Sequence, residues 1–433
     1  MSKQGTEAPD QPMPGKALKE LFGQSHDRGR AGLPVMSLSM GRGLVPRNQD
    51  ERRVETNLSD EQHRLVRAGE LAYNMMRMWQ GVCGLAEEDC LISPAYVVVR
   101  PLNGMDPKFS EYLLTYEETV AQFKLLSFGV VDDRLRLYFK DFERVRVRIP
   151  SPPAQRKIAR ILTTLDNLIE NTEALIAKYQ AIKQGMMHDL FSRGIDAHGQ
   201  LRPSQAEAPD LYKQSELGWI PKEWTSARLG SGITAIQYGT SAPSHSEALG
   251  SCPVLRIPNI EQGQLQLNDL QYQTPSPFEI KCFGVSEGDI LVIRTNGNPK
   301  IVGTCAIVTG HELPMLFASY LIRIRLNGSL IASSFLASFF ATDRARSFLE
   351  RRATTSAGNY NLNTESLRAM PIPFPSLTEQ SRICEVIGGA NRQLSLLNTD
   401  LGKLRIVKTG LMQDLLTGKV RVKVDELEEV ADA

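Results

Sequence analysis

Residues 150–190 read PSPPAQRKIARILTTLDNLIENTEALIAKYQAIKQGMMHDL, and this stretch decides the fold because it occurs twice. It aligns without a gap on residues 375–415, PSLTEQSRICEVIGGANRQLSLLNTDLGKLRIVKTGLMQDL, an offset of 225 positions from 150 to 375. Among the identical pairs are Gln155 with Gln380, Ile158 with Ile383, Lys178 with Lys403, Lys183 with Lys408, Gly185 with Gly410, Met187 with Met412 and Asp189 with Asp414. One register kept over this length indicates a chain of two similar halves.

Both copies have the spacing of a long helix with one apolar stripe. In the first copy the stripe is Ile158, Ile161, Leu165, Leu168, Thr172, Leu175, Tyr179, Ile182 and Met186, at alternating intervals of three and four. Pro150, Pro152 and Pro153 stop any helix upstream of the first copy, and Gly194 and Gly418 suit the C-terminal ends of the two helices. We therefore expect two long helices that lie antiparallel against each other. Packing of each helix on its own domain is the alternative, but a narrow stripe favours a partner helix.

The residues predicted to form the interface between the helices, or with a partner, come from both copies. They are Ile158, Leu165, Leu175, Ile182, Ile387, Leu394, Leu401 and Leu411.

The regions before the two helices also correspond. Val66 to Tyr73 resembles Val285 to Val292, and Ser93 to Arg100 resembles Phe317 to Ile324. Residues 134–137 likewise occupy the place of residues 359–362. The predicted fold class is α+β: two β-rich mixed domains, joined and separated by two long antiparallel helices, with an internal pseudo-two-fold repeat. The predicted divisions are 1–149, 150–195 (first helix), 196–374, 375–421 (second helix) and an acidic tail, 422–433.

The second mixed domain contains a predicted β-hairpin with polar groups at its tip. Residues 288–294 form a short apolar run after a glycine, residues 296–299 (Asn-Gly-Asn-Pro) favour a turn, and residues 301–308 resume as a strand. The first domain repeats this arrangement less regularly over residues 70–85. Residues 332–349 are expected to form one amphipathic helix.

Composition excludes several classes of protein. Of the 433 residues, 42% are hydrophobic and 23% are charged, which is typical of globular domains. Lys and Arg number 50 against 49 Asp and Glu, so any nucleic-acid surface must be local. The six cysteines lack the spacing of a zinc site or a disulfide framework, and they indicate reduced core residues of a cytoplasmic protein. The most apolar stretch, residues 331–341, is too short to cross a membrane.

Motifs of catalysis are missing from the sequence. It has no phosphate-binding G-x-x-x-x-G-K-[ST] loop, no H-E-x-x-H and no G-x-S-x-G, and its six histidines are scattered. We therefore predict no catalytic residue and no metal ligand on this chain.

Several stretches together resemble the specificity subunits of type I restriction-modification systems. They are residues 74–81 leading to 93–101, residues 288–303, the domain entry 217–224 (Leu-Gly-Trp-Ile-Pro-Lys-Glu-Trp) and the Pro-rich, Gln-containing starts of both helices. The first domain lacks the Gly-Trp-Ile-Pro entry, and residues 16–22 are its nearest counterpart.

The resemblance implies a non-catalytic DNA-recognition subunit. Two target recognition domains would each read one half of a split, asymmetric site in double-stranded DNA. The helices would form the spacer and dock two methyltransferase subunits, through which restriction and translocase subunits join. S-adenosylmethionine, ATP and magnesium would be bound by those partners and not by this chain, and no membrane is involved.

Candidate DNA-reading side chains lie near the hairpin tips, because Arg and Lys can address guanine edges, and Asn and Gln adenine edges. They are Asn74, Arg77, Gln80, Arg256, Asn259, Arg294, Asn296, Asn298 and Lys300. Simpler roles remain open at this point: the asparagines can shape turns, and the arginines can contact phosphate or pair with local carboxylates. A non-catalytic coiled-coil scaffold is the alternative function, but it leaves the two mixed domains unexplained.

Overall fold

The fold is described from a computed structural model of the chain. The structure describes residues 15–47, 58–102, 104–129, 135–246, 251–261, 263–310, 314–356 and 358–424. The predicted acidic tail lies outside the described residues from position 425 onward. In the described part, no helix combines the length and the apolar character that a membrane crossing requires.

Two long helices dominate the helical part, as the repeat predicts. The described helices are α1 (Pro107–Thr115), α2 (Glu117–Leu125), α3 (Phe139–Phe142), α4 (Pro152–Ser192), α5 (Pro277–Phe283), α6 (Ser333–Phe340), α7 (Asp343–Arg352), α8 (Thr364–Arg368) and α9 (Leu377–Leu416). α4 has 41 residues and α9 has 40, so each is about 60 Å long at 1.5 Å per residue. Gly194 and Gly418 follow them with φ of 67° and 73°, the left-handed conformation that ends a helix.

Contacts along the chain define two units. Unit 1 contains residues 1–173 and 399–433, and unit 2 contains residues 174–398. Each unit therefore includes a part of α4 and a part of α9. The predicted division set the helices apart from the mixed domains, whereas the contacts assign helix and mixed domain to the same unit.

Unit 1 is built around a four-stranded sheet. Its strands are β1 (Gly15–Ala17), β2 (Phe22–Ser25), β3 (Met36–Ser39), β4 (Gly43–Pro46), β5 (Arg64–Val66), β6 (Leu71–Asn74), β7 (Cys83–Leu85), β8 (Cys90–Ile92), β9 (Tyr96–Pro101) and β10 (Arg146–Arg148). The main sheet has the order β2-β9-β6-β7, and β1 pairs with β10.

Unit 2 repeats this plan with additional strands. They are β11 (Tyr212–Ser215), β12 (Gly218–Pro221), β13 (Thr225–Arg228), β14 (Ile233–Tyr238), β15 (Cys252–Leu255), β16 (Ile260–Glu261), β17 (Gln264–Leu265), β18 (Gln271–Gln273), β19 (Ile290–Ile293), β20 (Thr295–Asn296), β21 (Cys305–Ile307), β22 (Leu316–Phe317), β23 (Leu321–Leu326), β24 (Thr354–Ser356), β25 (Asn359–Asn361) and β26 (Pro371–Phe374). Its main sheet has the order β14-β23-β19-β21, and β13 pairs with β26.

The matching strand orders confirm the internal repeat, and the pairing register corrects one of its details. Leu71 pairs with Val99 in unit 1, and Ile290 pairs with Ile324 in unit 2. Val99 therefore corresponds to Ile324, and Arg100 corresponds to Arg325, the residue after Ile324. The sequence alignment had matched Arg100 with Ile324, one residue away, because apolar runs of strands look alike when shifted.

Each unit buries the ends of both long helices in its own core. In unit 1 the core includes Ile158 and Leu162 of α4 with Leu415 and Leu416 of α9. In unit 2 it includes residues 187, 190 and 191 of α4 with residues 383 and 387 of α9. The start of one helix is thus packed with the end of the other, so they run antiparallel in each unit.

Ion pairs in unit 1 follow the same antiparallel direction. Asp166 pairs with Lys408 at 2.5 Å, and Glu173, further along α4, pairs with Arg405, earlier in α9, at 2.7 Å.

The residues predicted to form the interface between the helices, or with a partner, differ in burial. Ile158, Ile387 and Leu401 are buried, at 2%, 3% and 8% exposure. Leu165, Leu394 and Leu411 are half-buried. Leu175 and Ile182 are exposed, at 39% and 52%, so they are not buried between the helices, and they stay predictions as contacts with a partner.

The neighbour of Leu175 in the sequence is the buried residue at this place. Ile176 is 7% exposed and takes the inward position instead. Leu175 and Ile176 are adjacent in the sequence and lie about 100° apart around the helix. An apolar stripe with intervals of three and four residues can pass through either of them, so the spacing alone does not tell which one faces inward.

Residues 332–349 form two helices and not the predicted single one. α6 ends at Phe340, and α7 begins after Thr342, whose hydroxyl accepts a hydrogen bond from the Ala345 N–H at 3.3 Å. A threonine that caps a new helix interrupts the apolar periodicity that the two helices share.

The predicted entry to the second mixed domain folds as a hairpin of β11 and β12 followed by a fully buried Trp224. The Trp224 indole N–H donates to Glu379 at the start of α9, at 3.0 Å. Arg202 forms an ion pair with the same carboxylate at 2.5 Å. This buried cluster fastens the entry segment to α9 within unit 2.

Candidate DNA-recognition surface

In unit 2 the predicted hairpin is formed by β19 and β21, which pair antiparallel from Ile290–Ile307 to Val292–Cys305. All four residues of β19 are buried. The second strand begins at Cys305 and not at Ile301, because residues 297–303 are turns and bends. A rigid apolar base therefore carries an irregular polar tip.

The asparagines of this tip shape the turn. The Asn296 side-chain oxygen accepts a hydrogen bond from the Asn298 N–H at 2.9 Å, and that of Asn298 accepts from the Lys300 N–H at 3.0 Å. Asn298 and Lys300 are exposed, and Asn296 is half-buried. The side-chain oxygens of Asn296 and Asn298 are thus used to form the turn. Among the described residues, the side-chain NH₂ groups of these two asparagines donate no hydrogen bond.

Arg294, at the base of the tip, is held by an aromatic ring. Its guanidinium carbon lies 4.4 Å from the centre of the Tyr238 ring, and its Nη1 donates to the Ser319 carbonyl at 3.3 Å. Within the described residues it forms no ion pair with a carboxylate. A half-buried guanidinium with a fixed plane and unused donors suits bidentate contact with an acceptor pair.

A second element reaches the same tip from later in the chain. β20 pairs with β25, which pairs with β24, so Thr295 lies opposite Asn361, and Asn296 opposite Tyr360. Tyr360 packs against the unit 2 core. Side chains alternate along a strand, so Asn359 and Asn361 lie on the other face.

Asn359 and Asn361 are absent from our predicted site residues. The alternation of Asn, Tyr and Asn was the signal that could have identified them.

Arg256 and Asn259 lie in a separate loop of unit 2, after β15. Asn259 is fully buried: its oxygen accepts from the Arg256 N–H, and its NH₂ donates to the carbonyls of Gln266 and Asn268. The prediction that Asn259 reads DNA is therefore wrong, because its hydrogen-bonding groups are used to close the loop. Arg256 forms an ion pair with Asp269 at 3.3 Å, so part of its charge is compensated locally.

In unit 1 the corresponding tip joins β6 to β7. The Asn74 side chain accepts from the Met76 N–H at 2.9 Å, and the Trp79 indole N–H donates to the Met76 carbonyl at 2.9 Å. Arg77 and Gln80 are exposed, and Asn74 is half-buried. The structure thus brings these three predicted residues together in one short segment.

The two tips are fastened at equivalent backbone atoms. The Leu137 N–H donates to the Met75 carbonyl at 2.9 Å in unit 1, and the Leu362 N–H donates to the Arg294 carbonyl at 2.8 Å in unit 2. Met75 and Arg294 therefore occupy the same place in the repeat.

At the base of each hairpin lies an equivalent ion pair between a buried carboxylate and a partly exposed arginine. Glu70 pairs with Arg100 at 2.6 Å in unit 1, and Asp289 pairs with Arg325 at 2.7 Å in unit 2. The hydrogen bond with Asp289 raises the pKa of the Arg325 guanidinium. The two carboxylates are only 4% and 1% exposed, so each pair holds the first strand of its hairpin against the neighbouring strand.

Comparisons with known proteins find similar proteins in sequence and in fold. A family model described as the type I restriction modification DNA specificity domain matches residues 76–180. The specificity subunit of the type I restriction enzyme MjaVIII from Methanocaldococcus jannaschii is 24% identical over 326 residues, 74% of this chain and 71% of that protein. The EcoKI specificity subunit from Escherichia coli is 24% identical over 239 residues, 55% of this chain and 49% of that protein.

Solved structures show the same fold. The S subunit of a type I restriction-modification system from M. genitalium superposes with a TM-score of 0.57 at 14% identity, covering 96% of this chain and 99% of that chain. A chain from a study of complex assembly and conformational transition of the type I R-M system gives a TM-score of 0.52, also at 14% identity, covering 96% of this chain and 100% of that chain.

In sequence and in fold the chain is therefore similar to type I specificity subunits, the family that the sequence resembles, and this similarity supports the role of a DNA sequence-specificity subunit. The comparisons do not favour the scaffold alternative.

Proposed function

We propose that this chain binds a split, asymmetric target in double-stranded DNA, and that each unit reads one half of it. One observation carries the proposal: two hairpins of the same topology present different side chains at equivalent places. Met75 and Arg77 in unit 1 stand where unit 2 has Arg294 and Asn296. Similar scaffolds with different tips would address different base sequences.

The reading surface of unit 2 consists of the hairpin tip with β24 and β25. A two-stranded ribbon fits the DNA major groove, and its Arg, Lys and Asn side chains have the donors and acceptors that distinguish base edges. In unit 1, Asn74, Arg77 and Gln80 take this role. Arg256 is a weaker candidate, since Asp269 already binds it.

The chain acts without catalysing a reaction. S-adenosylmethionine, ATP and magnesium belong to the partner subunits in this proposal, which is supported by the missing sequence motifs of nucleotide and metal chemistry. The partners are two methyltransferase subunits and, through them, restriction and translocase subunits, in the cytoplasm.

The exposed apolar side chains of α4 support docking of a methyltransferase. In unit 2, Leu175 and Ile182 are 39% and 52% exposed. They are seven residues apart, so they lie along one side of α4. Exposed leucines and isoleucines in a row are typical of a surface that a partner covers.

The decisive experiment combines binding and mapping. The purified chain, with and without its cognate methyltransferase subunits, is titrated into random duplex DNA, and methylated adenines are mapped in cells that express both proteins. We expect duplex binding and a methylated motif in two specified parts around an unspecified spacer. A chain that binds no duplex DNA in either condition would support the scaffold alternative, and methylation by the isolated chain would refute the non-catalytic role.

A further inference from the structure

Gln155 and Gln380 occupy the same position in the repeat, near the start of α4 and of α9. Both side chains are buried, at 2% and 0% exposure, although glutamine is usually found at the surface. A buried amide is tolerated only when its donors and acceptor are bonded. Their partners therefore indicate what these residues do.

In unit 2, Gln380 joins three backbone groups. Its Oε1 accepts from the Ala332 N–H at 2.9 Å, and its Nε2 donates to the carbonyls of Leu330 and Pro375 at 2.9 and 3.0 Å. Ala332 is the N-cap residue of α6. The glutamine thus links the start of α9 to the start of α6.

In unit 1, Gln155 makes the corresponding contacts. Its Oε1 accepts from the Asp106 N–H at 2.9 Å, and its Nε2 donates to the Pro150 carbonyl at 3.0 Å. Asp106 is the N-cap residue of α1. Pro150 and Pro375 are also equivalent in the repeat, so both glutamines form the same clasp between a long helix and a short one.

The short helices lead directly to the recognition hairpins. In unit 2 the Ser333 hydroxyl, at the start of α6, donates to the Gly288 carbonyl at 2.6 Å, just before β19. In unit 1 the Glu111 carboxylate of α1 accepts from the Leu85 N–H of β7 at 3.0 Å. In each unit the glutamine therefore contacts the short helix, and the short helix contacts the recognition hairpin.

We propose that Gln155 and Gln380 are positioning residues, each of which sets the placement of one recognition hairpin on its long helix and so controls discrimination at one half-site only. The inference rests on the proposed function. A purely structural role, in which the glutamines only satisfy buried backbone groups, would lower stability without this selectivity.

The test uses the full chain in complex with its methyltransferase subunits. Gln380→Met and Gln155→Met keep the length of the side chain and remove its hydrogen bonds. Gln393→Met on α9 and Gln180→Met on α4 are matched controls, because both glutamines are exposed. Binding is measured to the mapped target and to duplexes with either half scrambled, and amide hydrogen exchange is followed at Ala332 and Asp106.

We expect Gln380→Met to reduce discrimination at one half-site by about tenfold, the contribution of a good bidentate contact, and to leave the other half-site unchanged. Exchange should accelerate at Ala332 and not at Asp106. Gln155→Met should give the reverse pattern and is independent evidence if the first variant does not fold.

Loss of discrimination at both half-sites in each variant, or at neither half-site despite faster exchange, would overturn the inference. A wild-type complex that does not discriminate among the duplexes would instead refute the proposed function, and the inference with it.

Discussion

Arg294 illustrates how the fold restricts one side chain of the proposed reading surface. The Tyr238 ring and the Ser319 carbonyl restrict its guanidinium before any DNA is present. An arginine that is ordered in advance loses less conformational entropy on binding. Its planar donors match the O6 and N7 acceptors of guanine.

Replacing Arg294 by alanine should therefore weaken binding to the specific duplex by roughly 1–3 kcal/mol. Equilibrium titration of the mapped target by gel shift measures this change. Arg228→Ala is the control, because Arg228 is an exposed arginine of the same unit on β13, bound to Glu216. Equal affinities of the wild type and Arg294→Ala, with unchanged circular dichroism, would remove Arg294 from the DNA surface.

Asn259 should behave differently from the tip residues. Asn259→Ala leaves one N–H and two carbonyls of this loop without their buried partner, which should lower the free energy of unfolding by about 1–3 kcal/mol. Sequence discrimination of the folded protein should remain unchanged. Urea unfolding followed by tryptophan fluorescence, together with binding to scrambled duplexes, tests both statements. A selective loss of discrimination would restore Asn259 to the reading surface.

These residues also show how far the sequence can locate a site. Glycines and asparagines in a short polar segment between two apolar runs predict the tip of residues 294–300. Whether an asparagine is buried depends on contacts that residue type does not encode, as with Asn259. Asn359 and Asn361 join the tip through strand pairing with β20, about 60 positions away in the chain. The local alternation of Asn, Tyr and Asn can indicate a strand, but it does not reveal that this strand lies beside the tip.

At the scale of elements, the two long helices are the most predictable part of the fold. Their apolar spacing and flanking prolines predict their ends to within a few residues. The inward face is less predictable, because adjacent apolar residues such as Leu175 and Ile176 both fit the period. The side chains that remain outside, Leu175 and Ile182, are the ones available to a partner.

Ile182→Glu should reduce co-purification of the methyltransferase, because a charge replaces an apolar contact in the proposed docking surface. Ala181→Glu is the matched control, since Ala181 is exposed on the same helix but about 100° away. Both variants should retain helical circular dichroism. Full assembly of Ile182→Glu, measured by size-exclusion chromatography with light scattering, would contradict docking at this stripe.

At the scale of the whole molecule, the repeat is evident in the sequence of the long helices and weak elsewhere. The strands diverge because many apolar residues can fill a sheet core. Equivalence of the mixed domains is recognised from sheet order, pairing register and the ion pairs Glu70–Arg100 and Asp289–Arg325. The one-residue error in the alignment of β9 with β23 reflects this loss of sequence signal.

Exchanging residues 225–374 for the corresponding segment of a specificity subunit with a different target should change one half of the methylated motif and preserve the other. The segment begins with β13 and ends with β26, so it carries the main sheet of unit 2 and leaves the β11–β12 hairpin and Trp224 in place. Mapping of methylated adenines in cells carrying the chimaera measures the result. Alteration of both halves of the motif by an active chimaera would show that the units do not read separately.

The hydrogen bonds from Leu137 to Met75 and from Leu362 to Arg294 connect main-chain atoms only. Any amino acid except proline at a donor position, and any amino acid at an acceptor position, can supply such a bond. Substitutions at positions 75 and 294 can therefore accumulate during evolution while the fastening of the tip persists. If these side chains read DNA, substitutions at these two positions change the DNA target without loosening the tip. Selection for folding then acts on the backbone, and selection for recognition acts on the side chain.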